Sequence, residues 1–337
     1  MIKIFFDKFT VFLKESYKQI IFLLIFTFAL YYQFPCYIDS TGGAINVSDR
    51  IEVVDKYESS GSFNMAYVNE LPGNLLFIIM AQFNPNWDVV MYKDVLLDNE
   101  TKEDDFNRSR IMLNESTNNA IYQAFTMANK EVNVITEKLT VTFVMPEAKT
   151  GIKTGDELVS IEDVIITAMD DVRNIVKEHN AGDNLNVVVK RNDKEEQVSA
   201  TIYEEDGELY IGIVASFVIE LETNPKVNLN FKESETGPSG GLMTALAIYD
   251  SLTEYDLTNG LKIIGTGTME RDGSVGSIGG VKYKLAGAVK KKADIFLVPA
   301  GENYKEVIKI AKERNYKIKI VPIETFSEAV DYLMTLK

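Results

Sequence analysis

The sequence predicts an α+β protein that begins with a membrane-spanning helix and continues as mixed helices and strands. Its 337 residues are 46% hydrophobic, which is enough for two or three folded regions, and strand-like alternation recurs between helical stretches. The net charge of −15 leaves no basic surface, so we expect no nucleic-acid partner. The single cysteine, Cys36, excludes an internal disulfide and a cysteine-based metal site.

The first element is an apolar stretch, which we predict to be a transmembrane helix over 19–38. Ile20–Ile38 has no charged side chain and matches the roughly 20 residues that cross a bilayer. Residues 1–18 contain four lysines and two acids (Lys3, Lys8, Lys14 and Lys18 against Asp7 and Glu15). This balance predicts a cytoplasmic N-terminus and a single-pass protein of the cell membrane, with its bulk outside the cytoplasm. Bulky residues follow the apolar run, which favours an uncleaved anchor over a signal peptide.

Residues 39–130 read as mixed structure. GSFNMAYVNEL alternates at Phe63, Met65 and Tyr67 and predicts a strand, whereas NLLFIIMAQF is apolar throughout and fits either type of element. Apolar residues recur near helical spacing over 104–129, which predicts a helix.

Residues 131–217 have the pattern of a separate small domain. A strand in TVTFVMPE precedes the turn-rich GIKTGDELVSIED, the helical DDVRNIVKEH and a hairpin around Arg191–Lys194. This order resembles the PDZ domains of bacterial proteases. The resemblance implies a peptide groove near Thr142–Met145 and the Val172–Val176 helix. The alternative, which the sequence supports equally, is a small domain that binds no peptide and only spaces or gates the catalytic part. His179 ends that helix, where an exposed or helix-capping side chain is expected.

The chemistry centres on Ser239 in the run ETGPSGGLMTALAIY. A strand in VNLNF, a Gly-rich turn and an apolar helix place Ser239 at a helix N-terminus. The unpaired N–H groups and positive dipole there favour an oxyanion, with Gly240 and Pro238 as the adjoining backbone positions. The alternative is a serine that only caps the helix.

Lys284 is the candidate base. It lies in GGVKYKLAGAVKKK on the same helix face as Val281, Leu285 and Ala288, whereas Lys282 points to solvent. Burial lowers a lysine pKa from about 10.4 towards the 7–8 that a general base needs. With His179 as the single histidine, a Ser–His–Asp triad has little support, and a serine activated by lysine remains.

The motifs GPSGG, TGT and GSIGGVKYKLAGAVKKKADIFLVPA resemble the proteolytic domain of Lon proteases, from about Val227 to the C-terminus, and we assign 218–337 to it. The resemblance implies a catalytic dyad of Ser239 and Lys284, with Thr266 as the auxiliary residue that orients the lysine. It also implies protein or peptide substrates, no cofactor or metal, and assembly into a homo-oligomeric ring. Many members carry an acid where this chain has Thr236, although Glu235 is adjacent.

The order of anchor, PDZ and Lon-type domains resembles the PDZ-containing, Lon-like membrane proteases of Gram-positive bacteria. The 337 residues contain no GxxxxGK[ST] phosphate loop, which predicts an ATP-independent endopeptidase acting on unfolded or flexible protein. The predicted strand at 60–70 and the helix after it look similar to the opening elements of Lon proteolytic domains, so the PDZ domain would be inserted into the catalytic domain. The alternative function is a non-catalytic, membrane-tethered adaptor that binds peptides.

Overall fold

The computed structural model describes residues 2–336, with the backbone alone for 2–5 and 7. The first part of the chain forms α1 (Ile2–Tyr31), β1 (Gln33–Asn46), β2 (Ile51–Val53), β3 (Ser62–Asn74), α2 (Leu75–Ala81), β4 (Trp87–Met91) and α3 (Lys102–Met127). The middle forms β5 (Glu131–Val144), β6 (Lys149–Thr150), β7 (Glu157–Ile161), β8 (Val164–Ile165), α4 (Met169–Lys177), β9 (Asn184–Arg191), β10 (Lys194–Thr201), β11 (Tyr203–Glu205), β12 (Glu208–Tyr210) and β13 (Ile213–Asn224). The last part forms β14 (Val227–Leu229), α5 (Gly241–Leu252), β15 (Lys262–Gly265), α6 (Val281–Lys290), β16 (Ile295–Pro299), α7 (Glu302–Glu313), β17 (Lys319–Ile323) and α8 (Phe326–Met334). This mixture confirms the predicted α+β class.

The chain divides into two compact units. The first comprises the residues up to Thr41 together with Val68–Val95, and the second comprises Gly42–Tyr67 together with the chain from Leu96 onwards. Strands β1 and β3 therefore contribute residues to both units.

In the first unit, the predicted transmembrane helix over 19–38 is interrupted. Helix α1 ends at Tyr31, and the next residues enter β1, which pairs antiparallel with β4 from Cys36↔Met91 to Ser40↔Trp87. The last part of the apolar stretch thus satisfies its backbone by strand pairing. Within the described residues, no helix has a long enough apolar stretch to traverse a bilayer. Lys3 and Asp7, used to predict the orientation, lie outside the described side chains.

The second unit contains a central sheet with strand order β17-β16-β15-β3-β1. Strand β15 pairs in parallel with both β16 and β3, and the register Lys262↔Ser62 places the start of β3 inside this sheet. Ile263 and Leu297 face a core shared with α3, α5 and α8, whereas Ile264 and Phe296 face a core shared with α6 and α7. A sheet buried on both faces holds the ends of its strands rigidly.

A further sheet, with strand order β13-β5-β7-β9-β10-β6, has a separate core beneath α4. Its strands β5 and β13 form a long antiparallel ribbon from Glu131↔Asn224 to Val144↔Ile213. Because α3 precedes β5 and β14 follows β13, this smaller domain lies between two segments of the chain that build the central sheet and its helices.

Candidate active site

Ser239 lies in the turn that leads into α5, two residues before the first helical residue, Gly241. Its side chain is half-buried. Gly240 occupies the N-cap position and no side chain caps this helix, so the capping role considered for the Ser239 hydroxyl is not realised. The serine hydroxyl therefore remains available for another task.

The backbone of Ser239 is held by the chain segment that leaves β15. The Ser239 carbonyl accepts two hydrogen bonds, from the Gly267 N–H at 2.8 Å and from Thr266 Oγ1 at 3.1 Å. Thr266 is fully buried, and its own N–H donates to the Leu297 carbonyl in β16. Thr266 thus ties the candidate nucleophile to the central sheet. The predicted contact of its hydroxyl is with Lys284, but in this structure the hydroxyl bonds to the serine carbonyl.

Two backbone donors border the serine. Among the hydrogen bonds of the described residues, none is donated by the N–H of Ser239 or of Gly240. Both lie at the positive end of α5, where they can stabilise negative charge on a substrate oxygen. Pro238, proposed from the sequence as a backbone oxyanion position, cannot serve as a donor because proline has no N–H. Its carbonyl instead accepts a hydrogen bond from the Gly241 N–H at 3.2 Å.

Lys284 lies in the first turn of α6 and is only 5% exposed. The helix begins after Gly280, whose left-handed φ of 66° suits glycine and turns the chain into the helix. Val281, Leu285 and Ala288 pack into the core with Ile264 of β15, which draws Lys284 inward with them. The burial predicted from the apolar stripe is confirmed.

Burial lowers the pKa of Lys284 from 10.5 to about 7. Desolvation is the cause, and among the described residues no carboxylate or hydrogen-bond acceptor stabilises the ammonium form. The amine is therefore substantially neutral at physiological pH and can accept a proton. It makes no hydrogen bond to Ser239 in this structure. Lys282, predicted to point to solvent, is instead half-buried beside the Tyr283 ring.

Glu235, next to Thr236, has a structural partner. Arg50 donates to both of its carboxylate oxygens, from Nε at 2.7 Å and from Nη2 at 2.6 Å. Burial acts to raise the pKa of Glu235, but the hydrogen bonds from Arg50 and from the Lys232 N–H hold it below its ordinary value. Thr236 itself is exposed. Glu235 is committed to bracing the loop and is not free to assist Ser239.

Helix α3 contributes polar residues to this site that the sequence reasoning missed. The Ser116 hydroxyl donates to the Pro238 carbonyl and accepts from the Met269 N–H, both at 2.9 Å. The Asn119 amide donates to the Met269 carbonyl at 3.1 Å. A signal was present, because Ser116 lies four residues before the fully buried Ala120 and therefore on the apolar face of the helix.

His179 has a structural place. Its Nδ1 donates to the Ile175 carbonyl at 2.8 Å at the C-terminal end of α4, as expected of a helix-capping histidine. The described residues also contain no group of three or more His, Cys, Asp or Glu that could hold a metal ion.

The groove predicted along Thr142–Met145 is already paired on one side by the chain itself. The Met145 N–H donates to the Gly212 carbonyl at 2.8 Å, and Val144 pairs with Ile213 of β13. On its other side β5 pairs with β7 at Thr140↔Glu157, which lies before the Thr142–Met145 segment. The outermost strands of this sheet are β13 and β6, and β13 is the one next to the predicted groove segment.

Comparisons with known proteins identify two domains in this chain. Residues 120–202 match the PDZ domain, and residues 232–336 match the Lon protease (S16) C-terminal proteolytic domain. The Lon protease of Neorickettsia sennetsu is 33% identical over 101 residues, covering 30% of this chain and 12% of that protein. The Lon protease of Mesomycoplasma hyopneumoniae is 31% identical over 97 residues, covering 29% of this chain and 11% of that protein.

Among solved structures, the PDZ domain of an SdrC-like protein from Listeria monocytogenes covers 25% of this chain and 92% of its own, with 18% identity and a TM-score of 0.22. That likeness is too distant to carry an argument. The domain matches show that the chain contains a PDZ domain and a serine protease domain of Lon type. The chain spans only about a tenth of the length of the curated relatives it matches.

Proposed function

We propose that this protein is a membrane-attached, ATP-independent serine endopeptidase in which Ser239 is the nucleophile and Lys284 the general base. The burial of Lys284 without an acidic partner is the observation that carries this proposal. A solvated lysine near neutral pH is almost entirely cationic and cannot accept a proton, whereas a desolvated one can. Its position in a Lon-type proteolytic domain supports the same conclusion.

In the first half-reaction, the Lys284 amine removes the Ser239 hydroxyl proton as Oγ attacks the substrate carbonyl carbon. The N–H groups of Ser239 and Gly240 stabilise the resulting oxyanion. Collapse of this intermediate breaks the peptide C–N bond, and Lys284 returns its proton to the leaving amine. An acyl-enzyme ester on Ser239 remains.

In the second half-reaction, neutral Lys284 takes a proton from a water molecule that attacks the ester carbon. The tetrahedral intermediate uses the same two N–H donors and then releases the new carboxyl group. The proton on Lys284 passes back to Ser239 Oγ. The two side chains must come within hydrogen-bond reach for this cycle, and catalytic hydrogen bonds often tighten only when substrate is bound.

The PDZ domain has a separate part in the proposal, which is to capture substrate or gate its access. A peptide that adds to β13 would lie on the strand that leads through β14 towards the Ser239 loop. Unfolded or flexible segments are the substrates proposed, because no ATP-driven unfolding is assumed.

The proposed activity is tested on the full chain with fluorescein-labelled casein in the absence of nucleotide. We expect casein cleavage, and we expect a serine-directed fluorophosphonate to block it by modifying Ser239, as located by peptide mass mapping. Ser251, near the C-terminal end of α5, is the internal control and should remain unmodified, since its hydroxyl donates to the Ala247 carbonyl. Absence of cleavage would favour a non-catalytic peptide-binding adaptor, and modification of another serine would refute the assignment of Ser239.

Membrane attachment through α1, with the catalytic domain on the extracytoplasmic side, is also part of the proposal. Support comes from consecutive apolar side chains on α1 that are more than 60% exposed, including Leu23, Leu24 and Ile25. Such a helical surface favours insertion into lipid.

We expect the full chain to float with phosphatidylglycerol vesicles in a density gradient. Leu24→Glu should lower the bound fraction at least tenfold, because burying a charged side chain in lipid costs about 2.5–3.5 kcal/mol. The matched control is Ile308→Glu, which places the same charge at an exposed position on α7 and should still float. Equal flotation of the two variants would contradict attachment through α1.

A further inference from the structure

We propose that Ser116 is a positioning residue for the oxyanion site, and that its hydroxyl sets the orientation of the peptide group between Pro238 and Ser239. This inference rests on the proposed function and names a residue outside the Lon-type segment of the sequence. Ser116 lies in the middle of α3, on the N-terminal side of the PDZ domain.

The hydroxyl of Ser116 both donates and accepts a hydrogen bond. Oγ donates its one hydrogen to the Pro238 carbonyl at 2.9 Å and accepts a hydrogen bond from the Met269 N–H at 2.9 Å. Serines within helices commonly bond to the carbonyl one turn earlier. Here the hydroxyl instead links two distant loops that flank the nucleophile.

The orientation of the oxyanion donor follows from peptide geometry. In a trans peptide group, the carbonyl and the following N–H point in opposite directions. Holding the Pro238 carbonyl towards Ser116 therefore directs the Ser239 N–H away from α3, on the side where no hydrogen bond occupies it. Rotation of this peptide group would bring the carbonyl to the donor side and remove one oxyanion contact.

The second contact of Ser116, with the Met269 N–H, holds the chain segment that follows β15. Met269 lies three residues after Thr266, and both Thr266 and Gly267 hold the Ser239 carbonyl. Ser116 is 3% exposed, so water has little access to replace its hydrogen bonds. One buried hydroxyl therefore sets the spacing between the segment before the nucleophile and the segment after β15.

Packing around Ser116 leaves little freedom for rearrangement. A Cβ atom added to Gly241 would lie 2.2 Å from Ser116 Oγ and 2.7 Å from the Met269 nitrogen. The start of α5 thus fits against Ser116 through a residue that has no side chain. The hydroxyl is close enough to the helix to control the position of its first turn.

The test is Ser116→Ala in the full chain, assayed for kcat and KM on a fluorogenic peptide across pH 5.5–9.5. We expect kcat to fall about 10- to 100-fold with KM changed less than threefold. Loss of a whole oxyanion donor lowers kcat about 100- to 1,000-fold. The expected loss is smaller here because the Gly241 N–H still holds the Pro238 carbonyl in this variant. The midpoint of the pH profile should stay near the Lys284 pKa of about 7, since the substitution does not touch that side chain.

Asn118→Ala is the matched control. Asn118 is on the same helix and its side-chain amide also holds a backbone carbonyl, but that carbonyl belongs to Ile219 in β13, at 2.8 Å, and not to the loops around Ser239. We expect a loss of thermal stability with kcat reduced less than threefold. Ser116→Thr, which keeps a hydroxyl, should recover part of the lost kcat.

Several outcomes would overturn the inference. If the two alanine variants lose kcat equally, or if the Ser116→Ala midpoint moves towards 10, the residue acts through general packing. If Ser116→Ala retains full kcat, the peptide group is held without it. Ser239→Ala, run in parallel, separates the two proposals, because its full activity would refute the proposed nucleophile and not the role of Ser116 alone.

Discussion

Lys284→Met will abolish proteolysis and, at pH 6, will make the folded protein more stable than the wild type. The loss of activity follows from removal of the base, and dyad or triad members typically contribute about 10⁴-fold or more to kcat. The gain in stability follows from burial. The wild type must hold a charged ammonium in a desolvated site at this pH, whereas methionine places a similar volume there without charge.

The sign of the pH dependence follows from the pKa of Lys284, which is lowered from 10.5 to about 7 on folding. Below pH 7 both states carry the proton and the folded state bears the full desolvation cost, about 5 kcal/mol at most. Between pH 7 and 10.5 the unfolded state binds more protons, so wild-type stability rises with pH. The advantage of Lys284→Met should therefore be largest at pH 6 and should shrink towards pH 10.

Chemical denaturation at pH 6, 8 and 9.5 measures this difference, and casein cleavage at pH 8 measures activity. Lys282→Met is the matched control, since Lys282 lies on the same helix and was the competing lysine in the sequence. It should keep activity within twofold and should show no comparable stabilisation at pH 6. An active Lys284→Met variant would eliminate the proposed base. A Lys284→Met variant less stable than the wild type at pH 6 would show that favourable contacts offset the desolvation cost of the Lys284 ammonium.

Gly241→Ala will remove most of the activity and lower the stability of the domain. The added Cβ would overlap the Ser116 hydroxyl and the Met269 backbone nitrogen, and the backbone cannot move aside without displacing the loop after β15. Overpacking of this kind costs about 1–3 kcal/mol. The first turn of α5 should shift and carry Ser239 with it, and a displacement of about 1 Å can lower kcat about 100-fold.

Gly279→Ala is the matched control, because a Cβ at Gly279 would meet no atom within 4 Å. We expect its melting temperature and kcat to stay close to those of the wild type. Thermal melts measure the stability of both variants, and kcat and KM on the fluorogenic peptide measure their activity. A Gly241→Ala variant with wild-type kcat would mean that the contact between α5 and Ser116 does not position the nucleophile.

The parts of the site that could be predicted from the sequence depend on local periodicity. Lys284 was placed on a buried face because Val281, Leu285 and Ala288 recur at helical spacing, and the structure buries it. Ser239 was placed at a helix start because a Gly-rich turn precedes an apolar run, and α5 begins at Gly241. Hydrophobic periodicity also predicts α3 and β3.

Other predictions depended on which strands pair, and local patterns do not determine this. The resemblance to PDZ domains implies a groove near Thr142–Met145, but only the structure shows that β13 already pairs with one side of this segment. The apolar stretch over 19–38 reads as one helix, but pairing of β1 with β4 takes its last residues into a sheet. In both cases a partner distant in sequence determines the outcome.

By itself, the sequence determined the chemical groups of this protein and their local setting: a serine at a helix N-terminus, a lysine on an apolar face and a single histidine at the end of a different helix. Only the tertiary structure decided what holds those groups. Ser116 reaches the Pro238 carbonyl across 122 residues of sequence, and Arg50 reaches Glu235 across 185. Hydrophobic periodicity acts within one helix or strand, whereas these hydrogen bonds exist only because the packed sheet and helices bring distant segments together.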